Sequence, residues 1–444
     1  MYKRIASALF AVLCLLCCLA PAAGMLVFGP SAAGANQVLA QKPVLRGEDG
    51  TWNGDYLSQL SDYVADHFCW RQELISVHNR VQAVLGASGA QDVILGREGW
   101  LYYAQTLDDY TGVGGMTSRE LFTAAVNLKL MQQACQAAGA RFTFVIAPNK
   151  NSLYPEHMPD YGQKSDLHDA ARLLELLDQA GVNYADLFAA FASEPEELYF
   201  AHDSHWTSRG AALAADVISR SLGRESAYFS GTFAGPQAHQ GDLYEMLYPA
   251  WTDPETDRVP ADLNYTYTGP ATRADSITLL TAGQGTGCLL AYRDSFGNLL
   301  HPYLADSFAQ ARFSRSTTYD LGNLAGVTDV VIELVERNLD YLTLNLPVAA
   351  SPQVTVTAGT EGAEAVPLRS SETSMAGLIQ WTGKLPENAA ELTPVYLSGG
   401  AETFEAFQLS DGTFAAYLPV ETVPDRVLYW PAGETLLAAC RVAD

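Results

Sequence analysis

Residues 141–222 switch repeatedly between two hydrophobic periods, and that switching narrows the possible folds more than any other feature of the chain. Residues 141–147 (Arg-Phe-Thr-Phe-Val-Ile-Ala) are a short apolar run rich in aromatic and β-branched side chains, as a strand buried on both faces requires. Residues 166–181 place apolar side chains at helical spacing and end on Gly181. Residues 182–187 return to a strand pattern, and 209–222 are helical again before Gly223. This alternation predicts an α/β fold with a mostly parallel sheet and helices on both faces. Residues 287–292, 311–319 and 327–335 read as further strands. Residues 118–138 read as a helix capped by Thr117 or Ser118, with Glu120 in its first turn. Ligands of open α/β sheets gather at the carboxyl ends of the strands, so polar residues placed there are the first candidates for chemistry.

Three such places stand out. The stretch Tyr199-Phe-Ala-His-Asp-Ser-His-Trp-Thr-Ser-Arg-Gly210 sets Asp203 two residues before His205, then Trp206, then Thr207 or Ser208 as a helix cap. A carboxylate beside an imidazole can orient the ring and stabilise its protonated form. On this stretch alone, Asp203 as a plain cap and His205 as a packed surface residue is an equal reading. The strand at 287–292 runs directly into Arg293-Asp294-Ser295-Phe296-Gly297-Asn298, which suits a serine raised at a strand-to-helix turn. Its alternative is Asp294-Ser295 as a helix cap. Strand 141–147 is followed by Pro148-Asn149-Lys150-Asn151, where Asn149 or Lys150 can donate to an oxyanion beside a backbone N–H near Ser295. An ordinary turn is the competing reading there. Trp206 and Asp294 complete the candidates for oxyanion or substrate contact.

The remaining sequence sets boundaries on function. A net charge of −24 argues against nucleic acid as a partner. An apolar content of 48% with 17% charged residues describes a folded chain. Lys3 and Arg4 precede an uncharged apolar run to Phe28, the pattern of a signal peptide or an N-terminal membrane anchor, which directs the rest outward. Ala20-Pro21-Ala22 and Ala33-Gly34-Ala35 are weak cleavage patterns. The four cysteines beyond that segment are too far apart for a zinc site, and no His/Asp cluster suggests a metal. No cofactor motif is present. Residues 57–85 have helical periodicity, and 92–103 read as a hairpin. Residues 228–286 form a long aromatic-rich excursion, read as a lid or as packing. From 346 onward, short strands at 354–357, 378–381, 395–397, 404–409, 414–418 and 426–430 predict a small β-sandwich-like domain.

Several of these motifs also carry a resemblance. His202-Asp203-Ser204-His205-Trp206 looks like the Asp-His-His-Trp signature of the DHHW family, with Ser204 in place of the first His. The Asp-x-His and Asp-Ser-Phe elements resemble the SGNH-hydrolase-like domain of the alginate O-acetylation proteins. Val93-Ile-Leu-Gly-Arg-Glu-Gly-Trp-Leu-Tyr-Tyr103, Val145-Ile-Ala-Pro-Asn-Lys-Asn-Ser-Leu-Tyr-Pro155 and Gly241-Asp-Leu are further matches. The resemblance implies an SGNH-hydrolase-like (flavodoxin-like) sheet and a triad of Ser295 as nucleophile, His205 as base and Asp203 as its orienter. Ordinary SGNH hydrolases carry the serine first and an Asp-x-x-His late; the alginate-type domains share the reversed order seen here. The implied function is an extracytoplasmic O-acetyltransferase of a polysaccharide, and the partners it implies are an acetyl donor and a membrane-bound acyltransferase. A carbohydrate acetylesterase with the same triad and a non-catalytic glycan-binding or assembly protein are the alternatives. The expected organisation is 1–30 export segment, 31–115 tether, helices and hairpin, 116–345 SGNH-hydrolase-like domain, and 346–444 β domain.

Overall fold

The computed structural model describes residues 2–31, 39–161, 168–357, 360–362, 365–435 and 437–443. Seven strands build the central sheet. They are β1 (Arg141–Ala147), β2 (Tyr184–Ala185), β3 (Tyr265–Tyr267), β4 (Thr278–Gly283), β5 (Cys288–Tyr292), β6 (Gln310–Ser314) and β7 (Asp329–Val335). Their spatial order is β2-β1-β7-β5-β6-β4-β3. The pairings from β2 through β6 are parallel. Those of β6 with β4 and of β4 with β3 are antiparallel. The sheet is therefore parallel at its centre and mixed at one edge. The antiparallel edge corrects the reading of 228–286 as an excursion that serves as a lid or as packing, since β3 and β4 both come from it. Along β4, buried Leu279 and Thr281 flank exposed Leu280, the alternation of a strand covered on one side.

Four helices cover the sheet: α1 (Ser118–Ala137), α2 (Asp169–Ala180), α3 (Ser208–Ser221) and α4 (Gly297–Ser307). The two faces separate by strand alternation. Phe142, Phe144 and Ile146 of β1 pack with Leu121 and Leu128 of α1 and Leu173 and Leu177 of α2. Val145 and Ala147 pack instead with Ala211, Leu213 and Ile218 of α3 and Leu300 and Leu304 of α4. Thr117 caps α1 in a reciprocal box: its hydroxyl accepts the Glu120 N–H at 3.2 Å and its own N–H donates to the Glu120 carboxylate at 2.7 Å.

Before the sheet, a helix covers Tyr2–Phe28, and its stretch Ser7–Phe28 is long and apolar enough to cross a membrane. The Ala33-Gly34-Ala35 pattern lies outside the described residues. Residues 57–85 divide into two helices, Tyr56–His67 and Arg71–Val84. Val93–Leu95 pairs with Leu101–Tyr103 as the expected hairpin.

The C-terminal region is β-rich, in two sheets. One holds Ala438–Ala443, Arg426–Tyr429, Tyr396–Gly399 and Glu402–Glu405; the other holds Arg369–Glu372, Leu378–Lys384, Thr413–Pro419 and Phe407–Gln408. Residues 354–357 form no strand. There Val354 only donates its N–H to Thr403 at 2.8 Å, beside a single bridge from Gln353 to Phe404. Phe407, Ala415 and Tyr417 join the same buried cluster as Leu121 and Leu128 of α1. Polar contacts reinforce that junction. Asn127 donates to the Gln408 carbonyl at 2.8 Å and accepts the Gln408 N–H at 3.0 Å, and Lys129 pairs with Glu405 at 2.8 Å.

Candidate active site

The site is built where the carboxyl ends of β1, β5 and β7 meet. After β5, Arg293-Asp294-Ser295-Phe296 turns sharply into α4. The carboxylate of Asp294 holds that turn: Oδ1 accepts the Phe296 N–H at 2.9 Å, and Oδ2 accepts the Val335 N–H at 2.8 Å and the Asn338 amide at 2.9 Å. Asp294 thereby ties the serine loop to the end of β7. Ser295, the next residue, stays partly exposed.

The second loop, 199–206, lies across from it. Trp206 is fully buried among Phe191, Tyr199 and Phe296, and Thr207 caps α3 by accepting the Gly210 N–H at 3.1 Å. This anchors the backbone on both sides of His205. Nε2 of His205 is 2.8 Å from Ser295 Oγ, and its Nδ1 is 2.7 Å from Asp203 Oδ1. The same carboxylate oxygen accepts the His205 backbone N–H at 2.9 Å. With Nδ1 protonated toward Asp203, Nε2 is left as an acceptor facing the serine hydroxyl. That arrangement can take a proton from Oγ.

Asp203 is 4% exposed and has two further partners. His239 Nε2 lies 2.8 Å from Oδ2, and the Asp242 N–H donates to that oxygen at 3.2 Å. Asp242 in turn accepts from the Ser204 hydroxyl at 2.6 Å, and its carboxylate is 3.5 Å from His205 Nδ1. Burial pushes the Asp203 carboxyl up, but the two imidazoles, His205 first, outweigh it and hold the group well below the usual carboxylate range. Burial lowers both His205 and His239, but Asp203, joined by Asp242 at His205 and by Asp257 and Glu255 at His239, outweighs it, so both imidazoles hold their protons more tightly than usual. Asp242 is pushed up, by burial first and then by the charge of Asp203.

A cleft of about 480 Å³ opens over Ser295 and His205. Asp294, Asn298, Arg315, Arg337 and Asn338 line it, with Tyr103 and Tyr319. The guanidinium of Arg337 sits 5.2 Å from the centre of the Tyr103 ring and 5.4 Å from that of Phe296. Asn149, Lys150 and Trp206 are not among the lining residues. Asn149 is fully buried, gives its N–H to Glu336 at 2.8 Å, and its side-chain amide finds no partner among the described residues. Lys150 donates to the carbonyls of Phe200, Ala201 and Asp203 at 3.0, 3.0 and 2.6 Å. Its ammonium therefore secures the loop that carries Asp203 and His205. Burial pulls its pKa down to about 7 against the opposing charge of Asp203.

Among the described residues, two groups of ligand-type atoms lie within 4.8 Å of one another, Asp203 with His205 and Asp242, and Asp109 with His168 and Glu336. Neither is visible as a cluster in the sequence. The hydrogen bonds just described occupy the first, and Glu336 of the second accepts from Asn149 and Ser152. His301 is buried in α4. It bonds Tyr267 at 3.0 Å, and burial lowers it to about 4.

Sequence reasoning missed His239 and Asp242. Both lie in the 228–286 segment, where no periodicity singles them out; the Gly241-Asp-Leu match was the available signal.

Residues 93–290 match the family described as the SGNH hydrolase-like domain of the acetyltransferase AlgX. That span includes Asp203 and His205 and stops short of Ser295. A probable alginate O-acetylase AlgJ of Pseudomonas syringae pv. tomato is 27% identical over 183 residues, 39% of this chain and 44% of that protein. The probable alginate O-acetylase AlgJ of Pseudomonas putida is 26% identical over 174 residues, 36% of this chain and 43% of that protein. The chain thus spans less than half the length of these curated relatives. Among solved structures, the O-acetyltransferase domain of Pseudomonas putida AlgJ aligns with 56% of this chain and 92% of its own, at 20% identity and a TM-score of 0.38. A DHHW family protein from Eubacterium siraeum aligns with 57% and 99%, at 17% identity and a TM-score of 0.43.

Proposed function

We propose that this chain is a serine acyl-enzyme that transfers an acetyl group to a polysaccharide hydroxyl outside the cytoplasm. The observation that carries the reading is His205 bridging Ser295 Oγ at 2.8 Å and Asp203 Oδ1 at 2.7 Å across one imidazole. Ser295 Oγ attacks the acetyl carbonyl of the donor while its proton passes to His205 Nε2. The tetrahedral intermediate collapses by expelling the donor's leaving group, which takes that proton. An acceptor hydroxyl then attacks the acetyl-serine, gives its proton to Nε2, and the proton returns to Ser295 Oγ as the ester departs. Asp203 stabilises the imidazolium present at each tetrahedral stage.

The acetyl and polysaccharide parts rest on the names of the relatives, alginate O-acetylase and acetyltransferase. An acetyl donor delivered at the membrane by an acyltransferase partner is the supply that suits an N-terminal apolar helix, whether that helix anchors the chain or only directs its export. The test uses a generic acetyl ester, with and without an oligosaccharide acceptor. Wild type should form an acetyl adduct on Ser295 by mass spectrometry. Ser295→Ala and His205→Ala should each lose activity by roughly 10³-fold or more, Ser295→Ala with little change in melting temperature. An adduct that forms equally on the Ser295→Ala protein would defeat the reading.

A further inference from the structure

Asp203 has two oxygens, and a different imidazole occupies each. His205 takes Oδ1 at 2.7 Å and His239 takes Oδ2 at 2.8 Å. His239 does not line the cleft, so it meets the reaction only through this carboxylate. Its place is fixed from several directions. Its ring stacks on Phe200, with centroids 4.0 Å apart, and its backbone pairs with Glu255 in the short ladder of Gln237–His239 with Glu255–Asp257. Gly241, two residues on, passes so close to the Asp203 loop that a Cβ there would lie 2.3 Å from the His202 carbonyl oxygen. The segment is therefore built to bring an imidazole to the far side of Asp203.

We propose that His239 is a positioning residue: it holds the second oxygen of Asp203 and, through that shared carboxylate, sets when His205 is free to accept a proton. The inference rests on the acyl-enzyme reading of Ser295, His205 and Asp203. Two imidazoles facing one carboxylate compete for it. When His239 carries a proton, its charge neutralises part of Asp203 and disfavours a second cation at His205. When His239 is neutral it still donates an N–H and keeps Asp203 aligned. The other charges facing the group are Glu245, Glu255 and Asp257 around His239, Asp242 and Arg337 around His205, and the Lys150 ammonium beside Asp203. Glu245, Glu255 and Asp257 favour protonated His239, Asp242 favours protonated His205, and Arg337 opposes protonation of His205.

The experiment compares wild type with His239→Gln, which keeps an N–H donor but cannot titrate, and His239→Ala, which has neither. The full chain, labelled with ¹³C at its eight histidines, is titrated by NMR, and kcat and KM are followed across the same pH range. With the competing cation gone, the His205 pKa should rise by roughly half a unit to one unit in both variants. The acidic limb of kcat/KM should move up with it. His239→Ala should also lose roughly tenfold or more in kcat at nearly unchanged KM, with partial recovery in His239→Gln. A role in folding alone would lower the plateau without moving the limb or the His205 titration. If His205 titrates as in wild type in both variants, the inference is wrong. Because that titration needs no turnover, it remains decisive even if Ser295 proves not to be a nucleophile.

Discussion

At the scale of single residues, the site sets activity against stability. His205 must be neutral to take a proton, and Asp203 makes it hold that proton more tightly despite burial. The acidic limb of kcat/KM should therefore lie above 6.5, the ordinary imidazole value. Asp203→Asn removes the charge, so the limb should move down in pH while the plateau drops by roughly 10³-fold. Stability runs the other way. A group whose folded pKa is raised contributes fully below its unfolded value and loses that contribution as pH rises through the folded one. For His205 and His239 the loss begins near 6.5, so the melting temperature should fall over the interval in which activity climbs. A melting temperature that is flat or rising there would count against the assigned ion pairs. Asp203, His205 and Ser295 could be read from the sequence because each sits in a short local pattern after a strand or before a helix. His239 could not, because its role exists only once Gly241 lies against residue 202. Lys150 was legible as a polar residue after a strand, yet its length carries the ammonium to the loop carbonyls at 3.0 Å and below.

At the scale of elements, the decisive unit is the turn from β5 into α4. It has no helix cap of its own and depends on Asp294, which reaches Val335 at the end of the neighbouring strand β7 and Asn338 just beyond it. Asp294→Ala would leave the buried N–H groups of Phe296 and Val335 without their acceptor. Each lost charge-assisted bond is large enough that a destabilisation of about 3 kcal/mol is expected, with kcat lowered because Ser295 is no longer fixed. Chemical denaturation and steady-state kinetics on the same protein check both, and Asp294→Asn should recover part of each. Elements with strong periodicity were placed well from sequence, including β1, β5, α1 and α3. The antiparallel strands β3 and β4 were not. β3 has three residues, exposed or half-buried throughout, so its Tyr-Thr-Tyr resembles the loop residues around it.

At the scale of the molecule, the α/β and β-rich parts are joined by a common core. The cluster that holds Leu121 and Leu128 of α1 also holds Phe407, Ala415 and Tyr417. Calorimetry of the full chain should therefore show these parts melting in one transition rather than two. Asn127→Ala should destabilise both together by about 2 kcal/mol, since the buried backbone N–H and C=O of Gln408 each lose their partner. Two separate transitions, with only one shifted, would show that the junction is weak. The strand order has a consequence in time. β7 is the last strand of the central sheet to be synthesised, yet it lies in the middle, between β1 and β5. A chain emerging from the ribosome or an export channel carries Asp203, His205 and Ser295 well before it has Asp329–Val335. Until that strand arrives, the sheet is split between β1 and β5, the packing of α3 on α4 is left to join the parts carrying His205 and Ser295, and Asp294 has no Val335 to grip. On the acyl-enzyme reading, incomplete chains would hold Ser295 loosely, and full reactivity would await the delivery of β7.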